Sequence, residues 1–335
     1  MKVISDVRMN EKIKKAGWGT IEILSVFVLF WVYLKTSNLG TSNVVSLGEL
    51  LEGTAARPFA YRVLLPQGAK LLTKIIPFSI SAKYLFPSIL EDVFFQLGGA
   101  LFPEETFGVL FAIFLAMLGF VYVERKFLRD LGFSKETQNI LPILLLVLSL
   151  LFTVHFGYVY DIPQLFFFTI SLWLLYRQEW GWYLLSFFIT TLNKETSILL
   201  AVFFAFYFLS RIERKLFFRL LLSQFFLYVL VRIPLMWMYR GNQGDMVYYP
   251  TVLIHIDQYK TQPILLFVTI ALFFSIYVLV RKNWTEKDAF LRAATIIPLI
   301  MIPLYIIGGM PMEFRVFLET LPILGVLLFD PKILS

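Results

Sequence analysis

Long apolar stretches separated by short polar segments recur along almost the whole chain. A bilayer's hydrocarbon core is about 30 Å thick, so a helix of about 17 to 25 apolar residues can cross it. The pattern predicts ten spans, of which the fourth and fifth are short unless their polar ends are counted. The predicted spans are residues 18–33, 106–123, 140–154, 162–176, 182–192, 196–210, 216–239, 263–280, 293–307 and 316–329.

The segment between the first two spans, residues 37–104, has a different pattern. It is long and contains no clean apolar stretch. Two pieces, residues 44–51 and 61–76, place apolar residues at helical spacing with polar residues between them. We expect both pieces to form amphipathic helices that lie at the membrane interface. Residues 240–262, between the seventh and eighth spans, are polar and are predicted to be a loop.

Composition supports a membrane protein. The chain has 335 residues, of which 59% are hydrophobic and 16% are charged, whereas soluble domains carry about 25% charged residues. The mean hydropathy is +0.75. The apolar stretches leave no room for a separate soluble domain. We therefore predict an all-α, polytopic membrane helix bundle, with residues 1–335 as a single membrane domain of about ten transmembrane helices.

The sequence offers few residues for redox or metal chemistry. Cysteine is absent, which excludes disulfides, thiolate catalysis and cysteine metal sites. Only His155 and His255 are present, which argues against a zinc site built from histidines. His155 is more typical of a residue that hydrogen-bonds at a helix end than of a ligand. No cofactor is evident, and a divalent cation held by carboxylates stays open.

The positive charge is concentrated in short loops. A net charge of +7 suggests nucleic acid in a soluble protein, but in a membrane protein basic loops mark the cytoplasmic side. The N-terminus and residues 125–135, 211–215 and 281–292 carry the densest basic clusters. Ten spans place both termini on that side. We predict a multi-pass protein of the cell (inner) membrane, with cytoplasmic termini, no nucleic-acid partner and an open oligomeric state.

In this topology, the polar residues within or beside the spans collect at the outer end. An ionisable residue in lipid costs about 2.5 to 3.5 kcal/mol on insertion scales, so it usually faces a cavity and has a partner. Arginine and lysine suit phosphate oxygens, and a carboxylate in a partly dry site can act as a general base. The candidates are Arg57, Arg62, Asp161, Lys194, Glu195, Arg232, Glu313 and Arg315. Asn193 and Glu319 lie at the same level and are assigned no role.

Several of these candidates also have a purely structural interpretation. Lys194 and Glu195 could neutralise partners on neighbouring helices. Residues 313–315 could be a solvated loop, and residues 57–62 could hold lipid headgroups. Arg232 has fewer such explanations, because it lies about two turns inside the seventh span.

The arrangement is similar to that of the polytopic GT-C-type membrane glycosyltransferases. In both, a long outer segment follows the first span, and the later spans carry charged residues at their outer face. The phrases at residues 58–66, 160–163, 192–196 and 313–319 resemble those of a prokaryotic branch of that type. The resemblance implies transfer of a sugar from a polyprenyl-phosphate carrier to an extracytoplasmic acceptor. The partners would be the polyprenyl-phosphate-linked sugar and the lipid bilayer.

The resemblance also implies roles for particular residues. Members of this type place an acid soon after the first span, but residues 36–48 hold none, and Glu49 and Glu52 are the first acids. We therefore expect Asp161 or Glu52 to deprotonate the acceptor hydroxyl. Glu195 is grouped with the catalytic acids. Together with Glu313 and Arg315, it would help to orient the sugar or the cations. The carrier phosphate and the charge on the leaving group would be held by Arg57, Arg62, Lys194 and Arg232.

Other classes of protein remain open at this point. A transporter or lipid flippase would use buried charges near the bilayer midplane, flanked by broken helices. The predicted charges gather at one end instead, which argues modestly against that class. A polymerase or ligase for surface polysaccharide would share the outer acids and arginines, and a non-enzymatic assembly subunit is a further alternative.

Overall fold

The computed structural model describes residues 2–37, 39, 45–75, 102–154, 157–244, 251–311 and 313–329, with side chains from residue 17 onwards. These parts of the chain form helices and turns and contain no strand. His155 lies outside the described residues. The α-helices are α1 (Lys2–Thr36), α2 (Leu47–Glu52), α3 (Leu64–Ile75), α4 (Pro103–Asp130), α5 (Lys135–Thr153), α6 (Asp161–Tyr176), α7 (Trp180–Asn193), α8 (Ile198–Phe208), α9 (Arg214–Met238), α10 (Val252–Thr261), α11 (Pro263–Arg281), α12 (Ala289–Ala294), α13 (Ile296–Gly308) and α14 (Leu321–Leu328).

Six helical segments of the described chain are long and apolar enough to cross a membrane. They are Gly17–Thr36 of α1, the whole of α4, α5, α9 and α11, and Ala289–Gly308, which combines α12 and α13. The helices α6 and α8 are apolar but shorter. The protein is therefore a helical, membrane-embedded protein with six candidate spans, where the sequence pattern predicts about ten.

The surface of the bundle supports this assignment. Large apolar side chains are exposed along α9 and α11, among them Phe225, Phe226, Leu230, Phe267 and Phe274. Soluble monomers rarely expose apolar patches larger than a few hundred Å². Hydrocarbon is the solvent that suits such a surface.

The bundle has two chemically different ends, which α6 connects. At the C-terminal end of α6, Asp130 accepts a hydrogen bond from the Trp173 indole at 2.8 Å and lies 3.3 Å from Arg177. Near this end, Phe290 packs against aromatic rings from three other helices, those of Phe127, Tyr176, Phe203 and Tyr207. The basic loops that follow α4, α8 and α11 lie here. The 16 residues of α6 at 1.5 Å each place its N-terminus about 24 Å away.

The opposite end is built from loops that contact the C-terminus of α1. The Tyr33 hydroxyl donates to the Tyr158 carbonyl oxygen at 2.9 Å, and the Gly157 amide donates to the Ser37 carbonyl oxygen at 3.0 Å. An added Cβ at Gly157 would lie 2.5 Å from Ser37 Cβ, so only glycine permits this approach. The loop before α6 is therefore fixed against α1.

Both helices predicted in the first outer segment are present as α2 and α3. The Ser46 hydroxyl and the Glu49 carboxylate form a capping box at the start of α2. Gly53 then ends α2 in the left-handed conformation, with φ of 80°. Glu49 thus has a structural role at a helix start.

Three details differ from the sequence prediction. Residues 240–262 are not wholly a loop, because α10 occupies residues 252–261 and buries His255. The predicted ninth span is divided at Thr295 into α12 and α13. The predicted tenth span begins as the 3-10 helix Phe314–Thr320, before Pro322 in the first turn of α14.

Candidate functional site

Eight charged side chains form one cluster at the end of the bundle that contacts the C-terminus of α1. The cluster contains four acids and four bases, so its formal charges cancel. We call this set the charged cluster, and it consists of Arg62, Asp161, Lys194, Glu195, Arg232, Glu313, Arg315 and Glu319.

Arg315 joins two of the acids. Its guanidinium lies 3.3 Å from Asp161 Oδ1, and its other amino group pairs with Glu313. Asp161 Oδ2 also accepts the backbone N–H of Tyr158 at 2.9 Å. Asp161 stands in the first turn of α6, where a negative charge is favourable.

Glu195 lies between two arginines. Arg62 Nη2 lies 2.6 Å from Glu195 Oε1, and Arg232 Nη2 lies 3.8 Å from Glu195 Oε2. Glu195 occupies the turn Glu195–Ser197, outside the six candidate spans. Both oxygens of this carboxylate are engaged with arginines, which makes Glu195 a weak candidate for the general base.

The third unit of the cluster lies at a break between two helices. Lys194 ends α7 in extended conformation, with φ of −157° and ψ of 146°. Its Nζ lies 2.9 Å from Glu319 Oε1, which also accepts the Thr196 hydroxyl at 2.6 Å. Non-helical backbone at membrane depth is tolerated only where it is buried in protein or lines a cavity. Lys194 and Glu319 are both buried, in agreement with that rule.

Aromatic rings connect the Arg315 unit to the Glu195 unit, and Lys194 joins the third unit to them as the chain neighbour of Glu195. Arg315 lies 4.1 Å from the centroid of the Tyr158 ring, and Arg62 lies 4.4 Å from that of Tyr160. The Tyr158 and Tyr160 rings stack at 5.3 Å. Arg232 similarly lies 5.2 Å from the Tyr61 ring. Cations over aromatic rings gain stabilisation of about 0.5 to 2 kcal/mol, so these rings hold the cations in place.

The structure brings seven of the nine predicted site residues into the charged cluster, and the other two stand outside it. Glu52 is exposed at the end of α2 and forms no ion pair with the described residues. Arg57 is partly buried, and its backbone N–H donates to the Gln243 carbonyl oxygen at 2.8 Å. Glu319 is an additional member that the predicted site lacks. An acid inside an apolar span is the signal that identifies it.

The cluster contains many buried polar atoms without hydrogen-bond partners. Buried polar groups in folded proteins are nearly always paired, and each exception calls for a ligand, a water or a functional reason. Twelve such side-chain atoms occur in the described part of the chain, and seven lie in the cluster, in the groups beside it, or in the segment that carries Arg62. They are Arg57 Nε, Tyr61 Oη, Arg62 Nη1, Tyr160 Oη, Asn193 Oδ1, Arg315 Nε and Glu319 Oε2.

The acids of the cluster are engaged with cations. Asp161 and Glu313 contact Arg315, Glu195 contacts Arg62, and Glu319 contacts Lys194. Within the described ranges, no group of three or more histidine or acidic residues could hold a metal ion. The arrangement suits an anionic or hydrogen-bonding ligand better than a cation.

The fold and the cluster define a class: a polytopic helical membrane protein with a buried, charge-balanced cluster at one end of its bundle. Comparisons with protein families, with curated proteins and with solved structures found no match. The functional argument therefore rests on the geometry above.

Proposed function

We propose that the protein is a membrane glycosyltransferase of the GT-C type, which moves a sugar from a polyprenyl-phosphate carrier to an extracytoplasmic acceptor. The observation that carries this proposal is the concentration of unpartnered buried donors and acceptors in the charged cluster. A purely structural ion-pair cluster in a membrane is expected to satisfy its own polar atoms. In this cluster, Arg62 Nη1, Arg315 Nε and Glu319 Oε2 are buried without a hydrogen-bond partner among the described residues.

The proposed topology has ten crossings. To the six candidate spans it adds α6, α7, α8 with the turn before it, and α14 with the 3-10 helix before it. The packing of α6 against both α4 and α7 supports this assignment. The basic loops lie at the end opposite the cluster, so the positive-inside rule directs the cluster outward and both termini to the cytoplasm of the inner membrane.

In the proposed reaction, the acceptor hydroxyl loses its proton to a carboxylate as its oxygen bonds to the anomeric carbon. The bond from that carbon to the carrier phosphate breaks, and polyprenyl phosphate leaves with the electron pair. Glu319 suits the role of base best, because its Oε2 has no hydrogen-bond partner among the described residues, whereas both oxygens of Asp161 are engaged. Asp161 then positions Arg315. Glu52 is exposed outside the cluster and is the weakest of the three candidates.

The cations would stabilise the leaving phosphate. Arg62 Nη1 and, in the same segment, Arg57 Nε have no hydrogen-bond partner in the described part of the chain. Arginine presents several donors in a planar fork that matches phosphate oxygens. Arg232 and Lys194 add positive charge near the same centre. Preorganised donors of this kind act most strongly in water-excluded sites.

The test is sugar transfer by the purified protein in lipid nanodiscs, with a radiolabelled polyprenyl-phosphate sugar as donor and a lipid-linked acceptor. Removal of a general base costs about 10²- to 10⁴-fold in rate, so we expect at least a 100-fold loss in Glu319→Gln. Glu179→Gln, which changes a partly exposed acid at the opposite end of the bundle, is the matched control and should keep full activity. Full transfer in Glu319→Gln, Asp161→Asn and Arg232→Ala alike would refute the mechanism.

One observation favours a second candidate, a transporter. The burial of ionisable residues such as Asp161 and Glu319 is also typical of substrate and ion pathways in transporters. A transporter would carry the labelled substrate into liposomes without forming a product. Uptake without transfer would therefore replace the glycosyltransferase proposal with this one.

A further inference from the structure

Glu124 is a fully buried acid outside the charged cluster. It lies in α4, which is one of the six candidate spans, and it is 0% exposed. It precedes Asp130, the last residue of α4, by six positions, which is about 9 Å along the helix axis. Glu124 therefore lies inside the bundle, in the half that adjoins the basic loops, and the proposed reaction does not use it.

Neither oxygen of the Glu124 carboxyl group has a hydrogen-bond partner. Both Oε1 and Oε2 are buried and unpartnered among the described residues. Two other acids, Asp161 and Glu319, are buried to the same degree, but each has a cation beside it. Glu319 lies 2.9 Å from Lys194. Asp161 lies 3.3 Å from Arg315. The bundle provides a cation for each of these two acids and none for Glu124.

The environment of Glu124 on its own helix is apolar. Residues three and four positions away in a helix share a face. At Glu124 these residues are Phe120, Val121, Phe127 and Leu128, and all four are 0% exposed. Two aromatic and two aliphatic side chains therefore surround the carboxyl group along α4.

The helices packed most closely against α4 bring no opposite charge to this position. These helices are α1, α3, α5 and α6. Their described titratable side chains are Glu22, Tyr33 and Lys35 of α1, Lys70 and Lys74 of α3, Lys135 and Glu136 of α5, and Asp161 and Tyr176 of α6. None of these groups hydrogen-bonds to Glu124. Glu22 pairs with Arg125 at 2.7 Å, and Lys135 and Glu136 are exposed.

An ionised carboxylate at this position would have no compensation for its charge. Burying an unpaired charge is so unfavourable that the group takes its neutral form instead. We propose that Glu124 is a proton-binding site, whose carboxyl group is the neutral acid in the folded, membrane-embedded protein at neutral pH. Acids within membrane spans that take up and release protons form proton relays. Release of the proton from Glu124 requires that water or a cation reaches the carboxyl group. Proton binding at Glu124 does not depend on sugar transfer by the charged cluster.

Infrared spectroscopy of the full-length protein in nanodiscs at neutral pH measures the protonation state directly. The wild-type spectrum minus that of Glu124→Gln contains the bands of the Glu124 carboxyl group. We expect the carbonyl stretch of a carboxylic acid in this difference. Glu179→Gln is the matched control, because Glu179 is partly exposed and pairs with Arg177 at 2.6 Å. Its difference spectrum should show carboxylate bands only. Carboxylate bands for Glu124 as well would overturn the proposal.

Two further measurements do not rely on that difference spectrum. Wild-type protein whose glutamates carry a heavy carbon isotope in the carboxyl group should show an isotope-shifted acid band without any substitution, and the absence of this band would overturn the proposal. Glutamine has the shape of the neutral acid, so Glu124→Gln should unfold at the wild-type Tm. Glu319→Gln should unfold at a lower Tm, because it leaves the buried Lys194 without its partner. An equally lowered Tm for Glu124→Gln would identify Glu124 as an ionised, paired group and would contradict proton binding.

Discussion

The ion pair between Lys194 and Glu319 offers the sharpest test of what the charged cluster contributes to stability. Its atoms lie 2.9 Å apart, and both side chains are almost completely buried, at 7% and 0% exposure. In Glu319→Leu, Lys194 would keep a buried charge without its partner. In the double variant Lys194→Met with Glu319→Leu, both charges would be replaced by apolar groups of similar size.

The single and the double substitution are expected to change the free energy of unfolding by different amounts. At 2.9 Å and an effective dielectric constant of about 20, Coulomb's law gives an attraction of about 6 kcal/mol. Part of this offsets the cost of burying the two charges. Breaking a buried pair by removing one partner typically costs about 3 to 5 kcal/mol, whereas replacing both partners with apolar residues is often neutral. We therefore expect Glu319→Leu to be strongly destabilised and the double variant to be close to the wild type.

Thermal unfolding in nanodiscs, followed by tryptophan fluorescence, measures this difference. A loss of 3 to 5 kcal/mol should lower the apparent Tm by roughly 4 to 7 °C in a chain of this size. Equal Tm values for Glu319→Leu and the wild type would refute the reasoning, because the pair would then contribute nothing. A double variant that is stable but inactive in transfer would separate the catalytic role of Glu319 from its structural one.

Two further predictions follow from the same geometry. The chain has no cysteine, so single cysteines can be placed at Gln243 and Lys135, which are exposed at opposite ends of the bundle. These cysteines should react with a membrane-impermeant maleimide from opposite sides, and labelling from one side would contradict the topology. His255 and Thr251 both hydrogen-bond the Gly309 carbonyl oxygen, at 2.9 and 2.6 Å, ahead of the turn that carries Glu313. His255→Phe should lower Tm by roughly 1.5 °C for each 1 kcal/mol lost, and an unchanged Tm would show that this contact is dispensable.

The helices could be predicted from sequence where long apolar stretches dominate. Helices α1, α4, α5, α9 and α11 include the predicted spans almost entirely, because apolar length decides whether a segment crosses a bilayer. The prediction failed where local geometry matters. Residues 252–261 form α10 although they are polar in part, and His255 packs against Tyr305 at 5.1 Å between ring centroids, a long-range contact that the sequence pattern does not specify.

The pairing within the charged cluster could not be predicted. Arg62 and Glu195 are 133 positions apart in sequence, and Arg315 and Asp161 are 154 apart. Periodicity specifies which face of a helix is apolar, but it does not specify which helices become neighbours. The sequence could indicate that these residues need partners, while only packing determines which partner each receives. For the same reason, Glu319 could be recognised as a buried acid without being assigned to Lys194.

Charge balance explains how, in the proposed function, the cluster is stable both without the carrier phosphate and with it. Four acids and four bases cancel while the protein lies alone in the membrane, which limits the cost of burying them. A carrier phosphate adds negative charge, and Arg57 is a cation outside this balance, with no ion pair in the described residues and a free Nε. The phosphate could also compete with Glu195 for Arg62, and Arg232 would remain to hold the displaced carboxylate. A balanced cluster with an adjacent free arginine can therefore accept an anion without leaving a buried charge uncompensated.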